Sequence, residues 1–97
     1  MNASVAIQVL PEVEREDVIR VVDEVIAYIK SKCTSVFVGP FETTVEGDFD
    51  ELMEIVKECQ HICIRAGAPG VMSYVKISYH PNGEVWSIET KTKKHQK

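Results

Sequence analysis

The 97-residue sequence lacks long apolar runs, a signal peptide and an excess of positive charge. No apolar run approaches the ~20 residues that a membrane-spanning helix needs. The N-terminus carries neither the basic nor the apolar segment of a secretory signal, so we expect a cytoplasmic protein with no membrane partner. The net charge of −4 argues against a nucleic-acid partner, because phosphates require a basic surface.

Cysteine is scarce, and its spacing is not that of a disulfide framework. Cys33, Cys59 and Cys63 are an odd number of thiols, which favours a reducing compartment. His61 lies between the second and third thiols, as in some metal sites. On a helix, however, His61 projects about 200° away from Cys59, so the two cannot share a metal ion. We therefore expect core packing for the thiols, with no metal and no cofactor.

Motifs of catalysis are also missing. The sequence has no Ser-His-Asp order, no HExxH, no GxGxxG and no Walker loop. Its histidines fall on a predicted helix surface, a strand end and the tail, which is a poor basis for acid-base catalysis. A metallochaperone needs a CxxC loop, and an RNA-recognition motif needs exposed aromatics with a basic face. These absences indicate a protein that is not an enzyme.

Two hydrophobic periods divide the chain into six segments. Alternation with period 2 indicates half-buried strands, and apolar residues three and four apart indicate amphipathic helices. Asp48, with Glu51 three residues later, is typical of a helix N-terminus. The predicted elements are a strand over Ala3 to Leu10, a helix over Glu14 to Ser31, short strands over Ser35 to Val38 and Phe41 to Glu46, a helix over Asp48 to Ala66, and a strand over Val71 to Tyr79.

This βαββαβ order predicts a single ferredoxin-like α+β domain over residues 1–97. Right-handed crossovers place both helices on one face of a four-stranded antiparallel sheet, with the first and third strands in its centre. A C-terminal extension follows the Asn82-Gly83 turn. Glu84 to Ile88 reads either as a short return strand or as the entry to a helix. Trp86 and Ile88 indicate that this segment packs on the domain.

Candidate ligand contacts concentrate in the run from Val36 to Asp48, where a Gly-Pro corner joins two short strands. If odd-numbered strand residues face the helices, Thr43 and Ser73 are polar exceptions among apolar neighbours, which include Phe41. Polar groups facing a core are costly unless they are paired. Each hydroxyl is therefore either satisfied within the core or directed at a ligand, and the sequence leaves both open.

The opposite sheet face mixes small, polar and apolar residues. Thr44 and Glu46 lie on it, and Glu46 is expected to pair with Lys76. Such a face is either solvated or used for pairing between subunits. Its apolar area, from Phe37, Met72 and Tyr74, predicts a homo-oligomer, a dimer or a tetramer of two dimers.

The chain also resembles a known family. The resemblance rests on Gln8-Val9-Leu10-Pro11, on Val38-Gly39-Pro40-Phe41 through Thr43-Thr44-Val45-Glu46-Gly47-Asp48, and on Val75-Lys76-Ile77. These segments are similar to the small thiamine-binding-protein family, single-domain relatives of the tandem-repeat YkoF-type proteins. The resemblance covers Val5 to about Lys91.

The resemblance implies a ferredoxin-like domain that forms dimers or tetramers and binds thiamine or hydroxymethylpyrimidine. It places the threonine of the family's binding strand at Thr43 or, as the second choice, at Thr44. At Glu46 the tandem-repeat proteins are expected to carry a basic residue. We expect the Thr43 hydroxyl to hold the ligand, with Ser73, Thr44 and Glu46 as secondary contacts. Our first hypothesis is a non-enzymatic carrier, buffer or sensor. The alternatives are an ACT-like regulatory oligomer and a small enzyme with an interface-built site.

Overall fold

The computed structural model describes residues 1–83 and 85–92 of the chain. Seven elements follow one another in this part. They are β1 (Ala3–Pro11), α1 (Arg15–Lys32), β2 (Val36–Val38), β3 (Thr43–Gly47), α2 (Phe49–Arg65), β4 (Val71–Tyr79) and α3 (Ile88–Thr92). The first six confirm the predicted βαββαβ order.

The four strands form one antiparallel sheet in the order β2-β3-β1-β4. β1 pairs with β3 and β4, so Val5 lies between Val45 and Ile77. Both long helices contact β1 and each other, which places them on the same face of the sheet. This is the predicted ferredoxin-like arrangement.

The core forms where the apolar faces of sheet and helices meet. Alternation along β1 and β3 directs valine and isoleucine side chains at the helices, and the helical period directs a matching stripe back. The core side chains, all less than 9% exposed, include Val5, Ile7, Val45, Val21, Val25, Ile29, Leu52, Ile55, Cys59 and Cys63. Cys59 and Cys63 therefore lie in the core, as the sequence predicted.

The helix termini follow local chemistry. The carboxylate of Asp48 accepts a hydrogen bond from the backbone N–H of Glu51 (3.3 Å), which satisfies one donor at the start of α2. Glu16 and Asp17 occupy the first turn of α1, where negative charge is favoured by the helix dipole. No helix in the described ranges has the length and hydropathy to cross a bilayer.

Two details differ from the sequence-based expectations. Phe41 lies outside β3 and its side chain is 77% exposed, because the connection turns at Gly39–Glu42 before the ladder begins. In the C-terminal extension it is Val85, 9% exposed, that packs on the domain, whereas Trp86 is 71% exposed. The segment left open between strand and helix leads into α3; residues 84 and 93–97 lie outside the described residues.

Candidate functional site

An apolar cleft of about 290 Å³ lies between α1, the end of β1 and the β2–β3 connection. Its volume is at the lower end of the ~300–1,000 Å³ typical of ligand pockets, so it suits a small heterocycle. Its lining residues are Ile7, Gln8, Val9, Leu10, Val18, Ile19, Val22, Asp23, Val25, Ile26, Ile29, Gly39, Pro40, Phe41, Glu42 and Thr43.

The helical wall of the cleft follows from residue spacing in α1. Val18, Val22, Val25 and Ile29 are three or four apart and so form one continuous stripe. Beside this stripe runs a second row, in which Ile19 is 73% exposed at the rim. Ile19 and Ile26 of this second row extend the apolar surface of α1 beyond its core stripe.

The opposite wall is the turn between β2 and β3. The backbone N–H of Gly39 donates to the carbonyl oxygen of Glu42 (2.9 Å), which closes the turn. A Cβ atom at position 39 would lie 3.0 Å from that same oxygen, closer than an ordinary van der Waals contact, so the turn favours glycine there. The turn carries the exposed Phe41 ring to the rim of the cleft.

Thr43 supplies a polar group inside this apolar cleft. It is the first residue of β3, opposite Ile7 of β1, and is only 5% exposed. Its hydroxyl has no hydrogen-bond partner among the described residues. Within that part of the chain no fully buried side-chain polar atom lacks a partner, so the hydroxyl retains some accessible surface. That surface opens into the cleft.

Two acidic residues belong to the cleft lining. The carboxylate of Glu42 is held by the ammonium group of Lys76, at 3.4 Å. Asp23 is exposed on α1 and has no ion pair within residues 1–83 and 85–92. The predicted pair between Glu46 and Lys76 is thus wrong, because Glu42 lies within reach of the lysine and Glu46 has other partners.

Thr44 projects from the other face of the sheet. It lines a shallow depression of about 260 Å³ together with Ser4, Ala6 and Lys76. Successive strand residues point to opposite faces, so Thr43 and Thr44 cannot enter the same pocket.

Glu46 joins the C-terminal segment to the sheet. One carboxylate oxygen accepts from the Ser35 hydroxyl, and the other accepts from the backbone N–H of Ile88 (3.0 Å). This second bond meets the first turn of α3, whose N–H groups lack helical partners. Both oxygens of the carboxylate are therefore occupied within the fold.

Ser73 is satisfied by α2. Its hydroxyl lies 2.7 Å from the side-chain oxygen of Gln60, to which it donates. Ser73 lies on β4, where it pairs with Val9 of β1. β1 therefore separates Ser73 from β3, the strand of Thr43. The structure therefore does not bring the four candidate side chains together: Thr43 lines the cleft, and the other three lie elsewhere.

Sequence reasoning missed the contribution of α1. Ile19, Asp23 and Ile26 are spaced by four and three, so a second helical row beside the core stripe was visible in the sequence. Phe41 was expected among the helix-facing residues of the third strand, whereas it precedes β3 and is exposed at the cleft rim.

The thiols and the described histidines lie away from this cleft. Burial raises the pKa of the Cys59 thiol to about 12, and burial also raises the pKa of Cys33 and Cys63. A raised pKa keeps a thiol protonated and unreactive near neutral pH. His61 and His80 are exposed and do not line the cleft.

The described residues form a ferredoxin-like α+β domain with a cleft in which α1 supplies an apolar wall and Thr43 supplies a hydroxyl. A family model described as thiamine-binding protein matches residues 5–96. The chain therefore belongs to the thiamine-binding protein family.

Relatives with similar sequence and structure agree with this assignment. A protein of Clostridium perfringens named UPF0045 protein CPE1503 is 51% identical over 82 residues, which are 84% of this chain and 86% of the relative. A domain of unknown function from Bacillus cereus superposes with a TM-score of 0.88 at 34% identity, covering 99% of this chain and 91% of that one. A Thermotoga maritima protein, TM0486, assigned a candidate role in thiamine biosynthesis or salvage, gives 0.86 at 34% identity, covering 99% and 100%.

Proposed function

We propose that the protein is a non-enzymatic binder of thiamine or its hydroxymethylpyrimidine precursor, acting as a cytoplasmic carrier, buffer or sensor. Family membership and the candidate thiamine role of the Thermotoga maritima relative support the ligand class. The observation that carries the proposal is the buried Thr43 hydroxyl in a largely apolar cleft, where it has no hydrogen-bond partner among the described residues.

The chemistry of the pyrimidine ring suits this cleft. An aminopyrimidine is flat and largely apolar, and its edge offers ring-nitrogen acceptors and an amine donor. A hydroxyl can donate to one and accept from the other. Ligand pockets typically combine apolar walls with a few placed polar groups, as the α1 wall and Thr43 do.

Binding without turnover is supported by the side chains that line the cleft. Among the described residues, that lining has one hydroxyl and no histidine, lysine or cysteine. Of its two carboxylates, Glu42 is paired with Lys76 and Asp23 is exposed on α1. The described chain has three free cysteines, Cys33, Cys59 and Cys63, which supports a reducing cytoplasmic location.

Calorimetric titration tests the proposal directly. Thiamine and hydroxymethylpyrimidine are titrated separately into the protein, and several amino acids serve as the control for an ACT-like sensor. We expect saturable binding of a pyrimidine compound, an unchanged ligand on recovery, and no heat from the amino acids. Saturable binding of an amino acid alone, or conversion of the pyrimidine compound, would overturn it.

We also propose that the protein assembles with itself through the open face of the sheet, as a homodimer or a tetramer of two dimers. Phe37, Met72 and Tyr74 on that face are 39%, 59% and 57% exposed. An exposed apolar patch of this kind can pair with its own copy about a twofold axis. Light scattering at micromolar concentration should return a multiple of the 10.9 kDa chain mass, and a monomer mass would contradict the assembly.

A further inference from the structure

Of the two carboxylates that line the cleft, Glu42 is paired with Lys76, and Asp23 has no ion pair among the described residues. Asp23 lies between Ile19 and Ile26 in the second row of α1, so it stands over the entrance that the Thr43 hydroxyl faces. Thr43 is 5% exposed and unpartnered within the described chain, which marks the cleft as a built polar site rather than a surface charge alone.

Positive charge is absent from the same lining. No lysine, arginine or histidine is among the described residues that line the cleft. The guanidinium of Arg20, on the neighbouring turn, lies 3.6 Å from Asp17 and 3.9 Å from Glu24. Lys76 is paired with Glu42.

Backbone donors for an anion are scarce as well. The N–H of Gly39 already donates to Glu42, and Pro40 has no N–H. α1 meets the cleft with its middle turns, from Val18 onward, and not with its N-terminus at Arg15. Among the described residues, the cleft therefore has neither a cationic side chain nor a helix N-terminus with which to hold a phosphate.

We propose that this cleft selects the unphosphorylated ligand and rejects its phosphate esters, with Asp23 as the residue that reads ligand charge. The inference rests on the proposed function. Thiamine carries a permanent positive charge on its thiazolium ring, which Asp23 attracts. A phosphate ester adds about −1.5 to −2 charges at neutral pH, which the same carboxylate repels.

The test compares three probes by equilibrium dialysis: thiamine, thiamine monophosphate and uncharged hydroxymethylpyrimidine. Wild-type protein should bind thiamine at least about tenfold more tightly than its monophosphate. Asp23→Asn keeps the side-chain shape and should reduce that affinity ratio to about threefold or less. The variant should bind thiamine more weakly and the monophosphate more tightly than the wild type does. Its affinity for hydroxymethylpyrimidine should stay unchanged, because that probe has no charge to read.

Asp50→Asn is the matched control. It makes the same substitution at an exposed carboxylate in the first turn of α2, which does not line the cleft. The selectivity ratio should keep its wild-type value in this variant. The inference would be overturned if wild-type protein bound the monophosphate as tightly as thiamine or more tightly. It would also be overturned if Asp23→Asn changed the affinity for all three probes equally, or if the two variants changed the selectivity ratio equally. Failure of every probe to bind would instead remove the proposed function itself.

Discussion

Thr43 and Thr44 are adjacent in β3, yet their side chains project from opposite faces of the sheet. Thr43 faces Ile7 beneath α1 and opens into the cleft, whereas Thr44 faces Ala6 on the open side. Because the two residues share chemistry, strand and sequence neighbourhood, they provide a matched pair for locating the ligand.

Thr43→Val should weaken binding of thiamine and hydroxymethylpyrimidine by about 1 kcal/mol, roughly five- to tenfold. Valine keeps the shape of threonine and removes the hydrogen bond, whose net contribution is about 1 kcal/mol. Thermal stability should change little, because the hydroxyl has no described partner to lose. Thr44→Val should leave both affinities unchanged. Equal losses in the two variants, measured by calorimetry, would place the ligand elsewhere.

The fold was predictable because its elements have strong periods. Alternation fixed the faces of β1 and β3, and the three-and-four spacing fixed the core side of α1. These signals are local, since each needs only about ten neighbouring residues. The sheet order then followed from right-handed crossovers.

The site was less predictable because hydroxyl and carboxylate partners come from distant parts of the chain. Ser73 is satisfied by Gln60, and Glu46 by Ser35 and Ile88, at separations of 13, 11 and 42 residues. The local periodicity of apolar residues does not predict pairing between such distant residues. Thr43 stood out by the same pattern as Ser73, and only the structure distinguishes the paired hydroxyl from the unpaired one.

Glu46→Ala should destabilise the C-terminal segment without affecting ligand affinity. The change removes the acceptor for the Ser35 hydroxyl and the Ile88 N–H, so we expect a loss of about 1–2 kcal/mol in the free energy of unfolding. Hydrogen exchange at Ile88 should accelerate. Glu89→Ala, at an exposed position in α3, is the control. A stable variant with weakened thiamine binding would instead make Glu46 a ligand contact.

Stability should decline at alkaline pH because of the buried thiols. The pKa of Cys59 is raised from 9.0 to about 12, so above pH 9 the unfolded chain releases a proton that the folded protein keeps. The contribution of this thiol to stability is therefore complete below pH 9 and decreases from there to about pH 12.

Urea unfolding at pH 7, 9, 10 and 11 measures this decline. Cys59→Ala should be less stable at every pH, because it leaves a cavity, and should lose less stability than the wild type between pH 9 and pH 11. Some decline should persist, since the pKa of Cys33, Cys63 and Tyr28 is also raised by burial. The same pH dependence in both proteins would show that Cys59 does not hold its proton.

Phe41→Ala should weaken ligand binding and leave folding intact. The Phe41 side chain is 77% exposed at the cleft rim, so its removal costs the fold little buried apolar area. An aromatic ring at the rim of a cleft can stack on a flat pyrimidine, and such contacts contribute about 0.5–1.5 kcal/mol. Calorimetry should therefore show a roughly two- to tenfold loss of affinity for thiamine and hydroxymethylpyrimidine alike, since stacking does not depend on the thiazolium charge.

Trp86→Ala is the control, because Trp86 is similarly exposed at 71% but does not line the cleft. Unchanged affinity in Phe41→Ala, or an equal loss in Trp86→Ala, would show that the ring at position 41 does not contact the ligand.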